Sequence, residues 1–167
     1  GLPEAEAAVA DLAADAADRE VSGQKLKKSL VVSETAARAK IAGENFSAVF
    51  NKVTGKLESY EVNGKNRIID GPSLNLWRAP IDNDMYKVVD WKEKYFLHRQ
   101  QEQVEEFAIC REDKERPEEG DILVKIRTHF SPLSMAFGFK GCYLWRVKPS
   151  GELSLSLDMK GFKYSKF

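Results

Sequence analysis

Trp77-Arg78, followed closely by Asp82-Asn83-Asp84, sets an aromatic face, a guanidinium, two carboxylates and an amide into one short run. They belong to the stretch LNLWRAPIDNDMY, residues 74 to 86. Alternate oxygen ligands, as Asp82-x-Asp84 provides, open an EF-hand calcium loop, but such a loop needs glycine at its sixth position and glutamate at its twelfth. Counted from Asp82 these are Lys87 and Glu93, so the glycine is missing and a positive charge stands where the ion would be. No metal ligand is assigned to this chain. Paired carboxylates also serve glycosidases, which hold them about 5 to 9.5 Å apart across a sugar. Two acids at i and i+2 do not by themselves provide that separation. A solvated turn is the plainer reading of their spacing.

The other chemistry-bearing residues are scattered. No nucleophile elbow, P-loop, HExxH or GxGxxG pattern occurs. His98 and His129 lie in helix-like and strand-like runs without a matching ligand set, and are expected to be structural or surface residues. Cys110 and Cys142 lie in strand-like runs with no metal-ligand spacing, and are expected to be partly buried free thiols rather than a cross-strand disulfide. Trp91 and Trp145 could stack on sugar rings, although at their spacing core packing is the more common use of such residues.

The elements that must position these groups follow from periodicity. NFSAVF places Phe46, Ala48 and Phe50 on one side and Ser47 and Val49 on the other, a strand pattern. NKVTG reads as a hairpin turn, and KLESYEV sets Leu57, Ser59 and Glu61 against Glu58, Tyr60 and Val62. Asn63-Gly64 is a strong hairpin signal because both turn positions need positive φ. Three strands joined in this way make an antiparallel meander. VVDWKEKYFLHRQQEQ, residues 88 to 103, has Trp91, Tyr95 and His98 at helical spacing and predicts a helix. VEEFAIC, DILVKIRTHF, GCYLWRVKPSG and ELSLSLDMK then read as strands, with REDKERPEEG as a charged surface loop between the first two and Pro-Ser-Gly as a turn. The fold class expected is mainly β, an antiparallel β-sandwich with one short helix.

Composition divides the chain near residue 40. Residues 1 to 39, opening with LPEAEAAVADLAADAADRE, are rich in alanine and acid and predict a linker or the tail of a preceding domain, with helical tendency from Pro3 onward. Residues 40 to 167 form the sandwich. The opening glycine implies that this is not a natural start, and GFKYSKF follows a strong strand with no closing element, so one sheet edge is expected to be covered by something else. Lysine plus arginine balance aspartate plus glutamate at 26 each, which excludes steering toward nucleic acid or an acidic membrane. No apolar run approaches the roughly 18 residues that span a bilayer, and no secretory signal is visible. Cytoplasm and periplasm both remain open.

One longer pattern joins these pieces. Phe50 to Leu57 (FNKVTGKL), Val62 to Gly64 (VNG) and Trp77 to Asp84 (WRAPIDND) occur in the order in which the terminal domain of the large β-galactosidases of glycoside hydrolase family 2 carries F-x-K-x-T/S-G-x-L, x-x-N-G and W/T-R-A-P-x-D-N-D. GCYLWRVKPSGELSLSLDMK resembles the next part of that domain, and LPEAE the end of the domain before it. The resemblance covers roughly residues 40 to 160 and is strongest from 45 to 84. It implies the N-terminal part of the terminal, small-chain region, a large antiparallel supersandwich of the galactose-mutarotase-like kind. It also implies that the catalytic glutamates of a retaining hydrolase lie in a separate TIM barrel. On this resemblance the chain holds no catalytic residue and no cofactor, the Mg and Na ions often used by the parent family being bound by other domains. Its partners are the remaining domains of a β-galactosidase and, through them, a galactoside.

The same resemblance places the segment after RAPxDND beside the sugar pocket. Trp77, Arg78, Asp82, Asn83, Asp84 and Tyr86 are thereby expected to border the pocket or position its loop. Arg78 has a planar fork of donors suited to tying carboxylates or carbonyls. Asp82 and Asp84 are the expected acceptors, with Asn83 able to adopt the left-handed conformation and Pro80 keeping Ala79 extended. The family commonly has glycine where this chain has Tyr86. Two alternatives belong to other classes: a free-standing carbohydrate-binding module, and a scaffold that forms homo-oligomers through an exposed edge strand.

Overall fold

The structure, a computed structural model, describes residues 29–112, 120–133 and 135–163. The Ala-rich stretch and its start at Pro3, most of the charged loop REDKERPEEG and the last residues of GFKYSKF lie outside the described residues.

Two antiparallel sheets form a sandwich. The first is a five-stranded meander: β1 (Val31–Glu34), β2 (Arg38–Ala42), β3 (Phe46–Asn51), β4 (Lys56–Val62) and β5 (Lys65–Asn66), paired in chain order. It exceeds the expected three strands and begins at Val31, ahead of the change in composition near residue 40. The second sheet has four long strands in chain order: β6 (Gln100–Arg111), β7 (Ile122–Pro132), β8 (Phe137–Val147) and β9 (Leu153–Lys163).

The turns form as their residues dictate. Asn63 and Gly64 have φ of 52° and 72°, the pair of left-handed positions that a two-residue hairpin turn requires. In β3 the alternation holds, with Phe46, Ala48 and Phe50 buried. In β4 a β-bulge revises the simple alternation. Phe50 pairs with Leu57 but Val49 pairs with Ser59, so Glu58 is the extra residue. The inward face therefore changes phase: Leu57 points into the core before the bulge, and Tyr60 and Val62 pack against it after. Glu58 is left outside, where its carboxylate takes a bidentate pair of 2.8 Å bonds from Arg38 of β2.

The core lies between the sheets. Ile41, Ala48, Phe50 and Leu57 of the first meet Ile122, Val124, Ile126, Tyr143, Trp145 and Val147 of the second. Phe50 and Trp145 meet edge to face, with centroids 5.6 Å apart. Trp145 is thus a core residue. Polar ties cross the same gap: the Tyr60 hydroxyl donates to the Gly151 carbonyl, and Arg111 donates to Leu30 O at 2.8 Å.

Two expectations change, one about a residue and one about an element. Cys110 and Cys142 are free thiols, but Cys110 is exposed rather than partly buried. They lie on β6 and β8, which β7 separates. The helix predicted over 88 to 103 is a single wide turn at Asp90–Lys94, closed by Trp91 N–H to Lys87 O at 3.0 Å and Tyr95 N–H to Asp90 O at 2.9 Å. Phe96, at φ 49°, ends it, a short turn at Leu97–Arg99 follows, and Gln100 to Gln103 already belong to β6. The ladder with β7 provides those residues with partners that an isolated amphipathic helix lacks.

The strands of the second sheet are 11 or 12 residues long and those of the first at most 7. At about 3.4 Å per residue, the second sheet outruns the first by more than 10 Å. The connection between β5 and β6 reaches this far end. Tyr95 meets Phe137 edge to face there, 6.3 Å between centroids. The expected site residues lie in this connection.

Candidate functional site

The connection leaves the first sheet at Gly71. That residue is buried so closely that an added Cβ would lie 2.4 Å from Leu57 O, a position open only to glycine. Beyond it, Asn75 folds the chain locally: its Oδ1 accepts the Trp77 N–H at 2.9 Å, an Asx turn. Asn75 was not among the expected site residues, although an asparagine two residues before a tryptophan is the signal such a turn leaves in sequence.

Arg78 and Asp84 close the loop. Arg78 Nη2 lies 2.7 Å from Asp84 Oδ2, and the same oxygen accepts the Ile81 N–H at 3.1 Å. Arg78 Nη1 also donates to its neighbour's carbonyl, Ala79 O, at 3.4 Å. Between them Asp82–Asp84 form a short helical turn. Asp84 is the well-covered partner, with 14% of its side chain exposed against 58% for Arg78. A carboxylate oxygen held by a guanidinium and a backbone amide acts as a structural acceptor that closes the loop.

The other expected residues divide. Trp77 faces His98 with ring centroids 5.6 Å apart, and Lys92 Nζ stands 5.9 Å over its ring. Asp82 and Asn83 are exposed and share no contact with Arg78 among the described bonds. Asn83 does not adopt the left-handed conformation, because the helical turn through it takes ordinary negative φ; Phe96 occupies that region instead. Tyr86 is 80% exposed, with Lys87 Nζ 5.6 Å from its ring. Arg78 and Asp84 are therefore brought together next to Trp77 in the chain, while Asp82, Asn83 and Tyr86 are exposed to solvent.

The inner side of the loop borders an open cleft of about 270 Å³, lined by Asn75, Leu76, Trp77, Arg78, Trp91 and Leu97. Trp91, expected in a core, instead lines this cleft from the one-turn helix. Two indoles, an amide and a guanidinium suit a flat polar ring with C–H-rich faces. The volume is below the roughly 300 Å³ at which small-molecule pockets usually begin.

The family model described as "Beta galactosidase small chain" matches residues 42–165, a range that takes in β3 to β5 of the first sheet, the connecting loop and the whole second sheet. No curated protein matches the chain.

Proposed function

The chain belongs to the β-galactosidase small chain family, and on that premise we propose that it is a non-catalytic domain of a β-galactosidase that borders the enzyme's sugar pocket. The cleft carries this reading: Trp77 and Trp91 both line it, beside a loop closed by Arg78 and Asp84, and it is open on one side. Its open side is where the rest of the enzyme completes the site. The catalytic carboxylates come from that other part, and Asp84 serves here by fixing the loop that carries Trp77. The alanine-rich residues ahead of the first sheet connect to the preceding domain. Hydrolysis of terminal β-D-galactosides is the activity of the assembled enzyme.

The purified chain is expected to release no chromophore from a chromogenic galactoside. Within the assembled β-galactosidase, Trp77→Ala is expected to raise KM with a smaller effect on kcat, since a wall residue contributes binding more than chemistry. Turnover by the isolated chain that survives repurification overturns the non-catalytic part. An unchanged KM overturns the wall assignment.

One observation favours a second reading. Trp77 and Trp91 face the same cleft without any other domain present, as a free-standing carbohydrate-binding module would require. Calorimetric titration of the chain with galactosides separates the two: saturable heat supports the module, and its absence supports the pocket wall.

A further inference from the structure

A strand at the edge of a sheet invites pairing with another chain, and proteins usually blunt such edges by shortening, bulging or charging them. Among the described residues the two sheets present four edges: β1 and β5 of the first, β6 and β9 of the second. Three are blunted. β1 has four residues and β5 two. β6 is long, but a bulge between Val104 and Glu106 breaks its register with β7, and Glu105 and Glu106 charge its centre. β9 has neither device. Its 11 residues, Leu153–Lys163, pair with β8 in unbroken register and include no proline. Its inward positions run Leu153, Leu155, Leu157, Met159 and Gly161, with a charge, Lys163, only at the last.

The open edge lies beside half-covered apolar side chains. Leu153 and Leu155 pack against the core, but Leu157, the next inward residue, is 41% exposed. Ser154, Ser156, Asp158 and Lys160 alternate with them on the outer face. Asp158 and Lys160 are exposed and form no ion pair among the described residues. Their spacing is complementary to itself. When β9 pairs antiparallel with β9 of a second copy about Met159, two-fold symmetry sets Asp158 opposite the copy's Lys160, and Lys160 opposite the copy's Asp158. Opposite charges in facing positions stabilise a strand pair, and like charges destabilise it. On the inner face Met159 then meets its own equivalent and Leu157 faces Gly161, so no charge enters the middle of the apolar row. A foreign strand would have to match both sign and spacing; a second copy does so by symmetry.

We propose that β9 is the interface through which two copies of this chain join, edge to edge and antiparallel about Met159, so that their four-stranded sheets become one continuous sheet. Main-chain hydrogen bonds supply the affinity, as in other strand additions. The reciprocal Asp158–Lys160 pairs fix register and orientation. Assembly stops at two, because both ends of the joined sheet are the bulged, acidic β6. The interface does not depend on the pocket-wall reading, since β9 contributes nothing to the lining of the cleft.

The test is sedimentation velocity of the full chain over a wide range of concentration, under reducing conditions so that the exposed Cys110 thiol forms no cross-link. A monomer–dimer equilibrium is expected. Asp158→Lys sets lysine against lysine in both pairs and is expected to weaken the dimer by roughly tenfold or more. Lys160→Asp does the same with acid against acid. Combining the two restores facing charges of opposite sign and is expected to restore the dimer. Hydrogen exchange of the unaltered chain adds a measurement that needs no variant: protection in 153–163 is expected to rise with concentration while β6 stays as it is. A chain that is monomeric at every concentration overturns the proposal. So does a dimer indifferent to the single reversals, or one that the double reversal fails to restore. Protection of β9 that appears only when the remaining domains of a β-galactosidase are added overturns it in favour of that partner.

Discussion

Asp84 offers the sharpest test of the loop. Its Oδ2 accepts from Arg78 Nη2 at 2.7 Å and from the Ile81 N–H at 3.1 Å. Asp84→Ala removes both. Arg78 is 58% exposed and loses little by turning to water, so the ion pair contributes at the surface end of the scale, about 0.5–1 kcal/mol. Ile81 is 56% exposed, so water replaces most of what its amide loses, and its bond to a charged acceptor contributes about 1 kcal/mol. The sum is about 1.5–2 kcal/mol, felt by the loop and not by the core, which does not include it. Asp84→Asn keeps an acceptor for Ile81 and should cost only the first part. Amide exchange at Ile81 and Lys87 measures the opening of the loop. The expected acceleration is about tenfold or somewhat more for Asp84→Ala and about threefold for Asp84→Asn, since 1.4 kcal/mol is a factor of ten. A cycle with Arg78→Gln should return a coupling of about 0.5–1 kcal/mol that shrinks in high salt. Equal acceleration in the alanine and asparagine variants together with zero coupling would refute the closed-loop account.

Three other outcomes follow from the structure. Phe50→Ala empties a fully buried site against Trp145 and is expected to lower stability by about 3–5 kcal/mol in urea melts; a loss under about 1 kcal/mol would contradict a shared two-sheet core. Tyr143 keeps its proton beyond the ordinary tyrosine pKa of about 10. Its raised folded-state pKa contributes stability that is complete below pH 10 and is lost as pH rises above it, because the unfolded chain ionises first. Tyr143→Phe should flatten that alkaline loss, as stability measured from pH 9 upward will show. The Arg38 partner holds the Glu58 carboxyl below its ordinary value, so its contribution is present at neutral pH and lost on acidification. An NMR titration should find Glu58 low in the native chain and back in the usual carboxylate range in Arg38→Gln.

Much of the fold could be read from local pattern. The alternation in β3, the Asn63-Gly64 turn and the leucine–serine alternation of β9 specify strands and hairpins because turn conformation and one-sided burial are local requirements. Amphipathic spacing misled between residues 88 and 103. Trp91, Tyr95 and His98 do recur at helical intervals, but the long ladder of β6 with β7 claims the residues from Gln100 onward, and Phe96 in the left-handed region ends the turn. The bulge at Glu58 was equally hidden. Its reason is the need to present Leu57, Tyr60 and Val62 to one core, which only the second sheet defines.

The candidate site divides along the same line. The unusual composition of WRAPIDND marked the segment, and the family resemblance suggested Arg78 as its tie. Which carboxylate receives that tie was decided by the helical turn through Asp82–Asp84, which aims Asp84 inward and leaves Asp82 and Asn83 in solvent. Trp91 reaches the cleft because a long second sheet extends past a short first one and the connection is laid across the difference. Sequence by itself determined the strands, the turns and the inventory of functional groups, all of which depend on near neighbours. Tertiary structure decided which of those groups meet, because contacts between residues far apart in the chain exist only once the two sheets have packed.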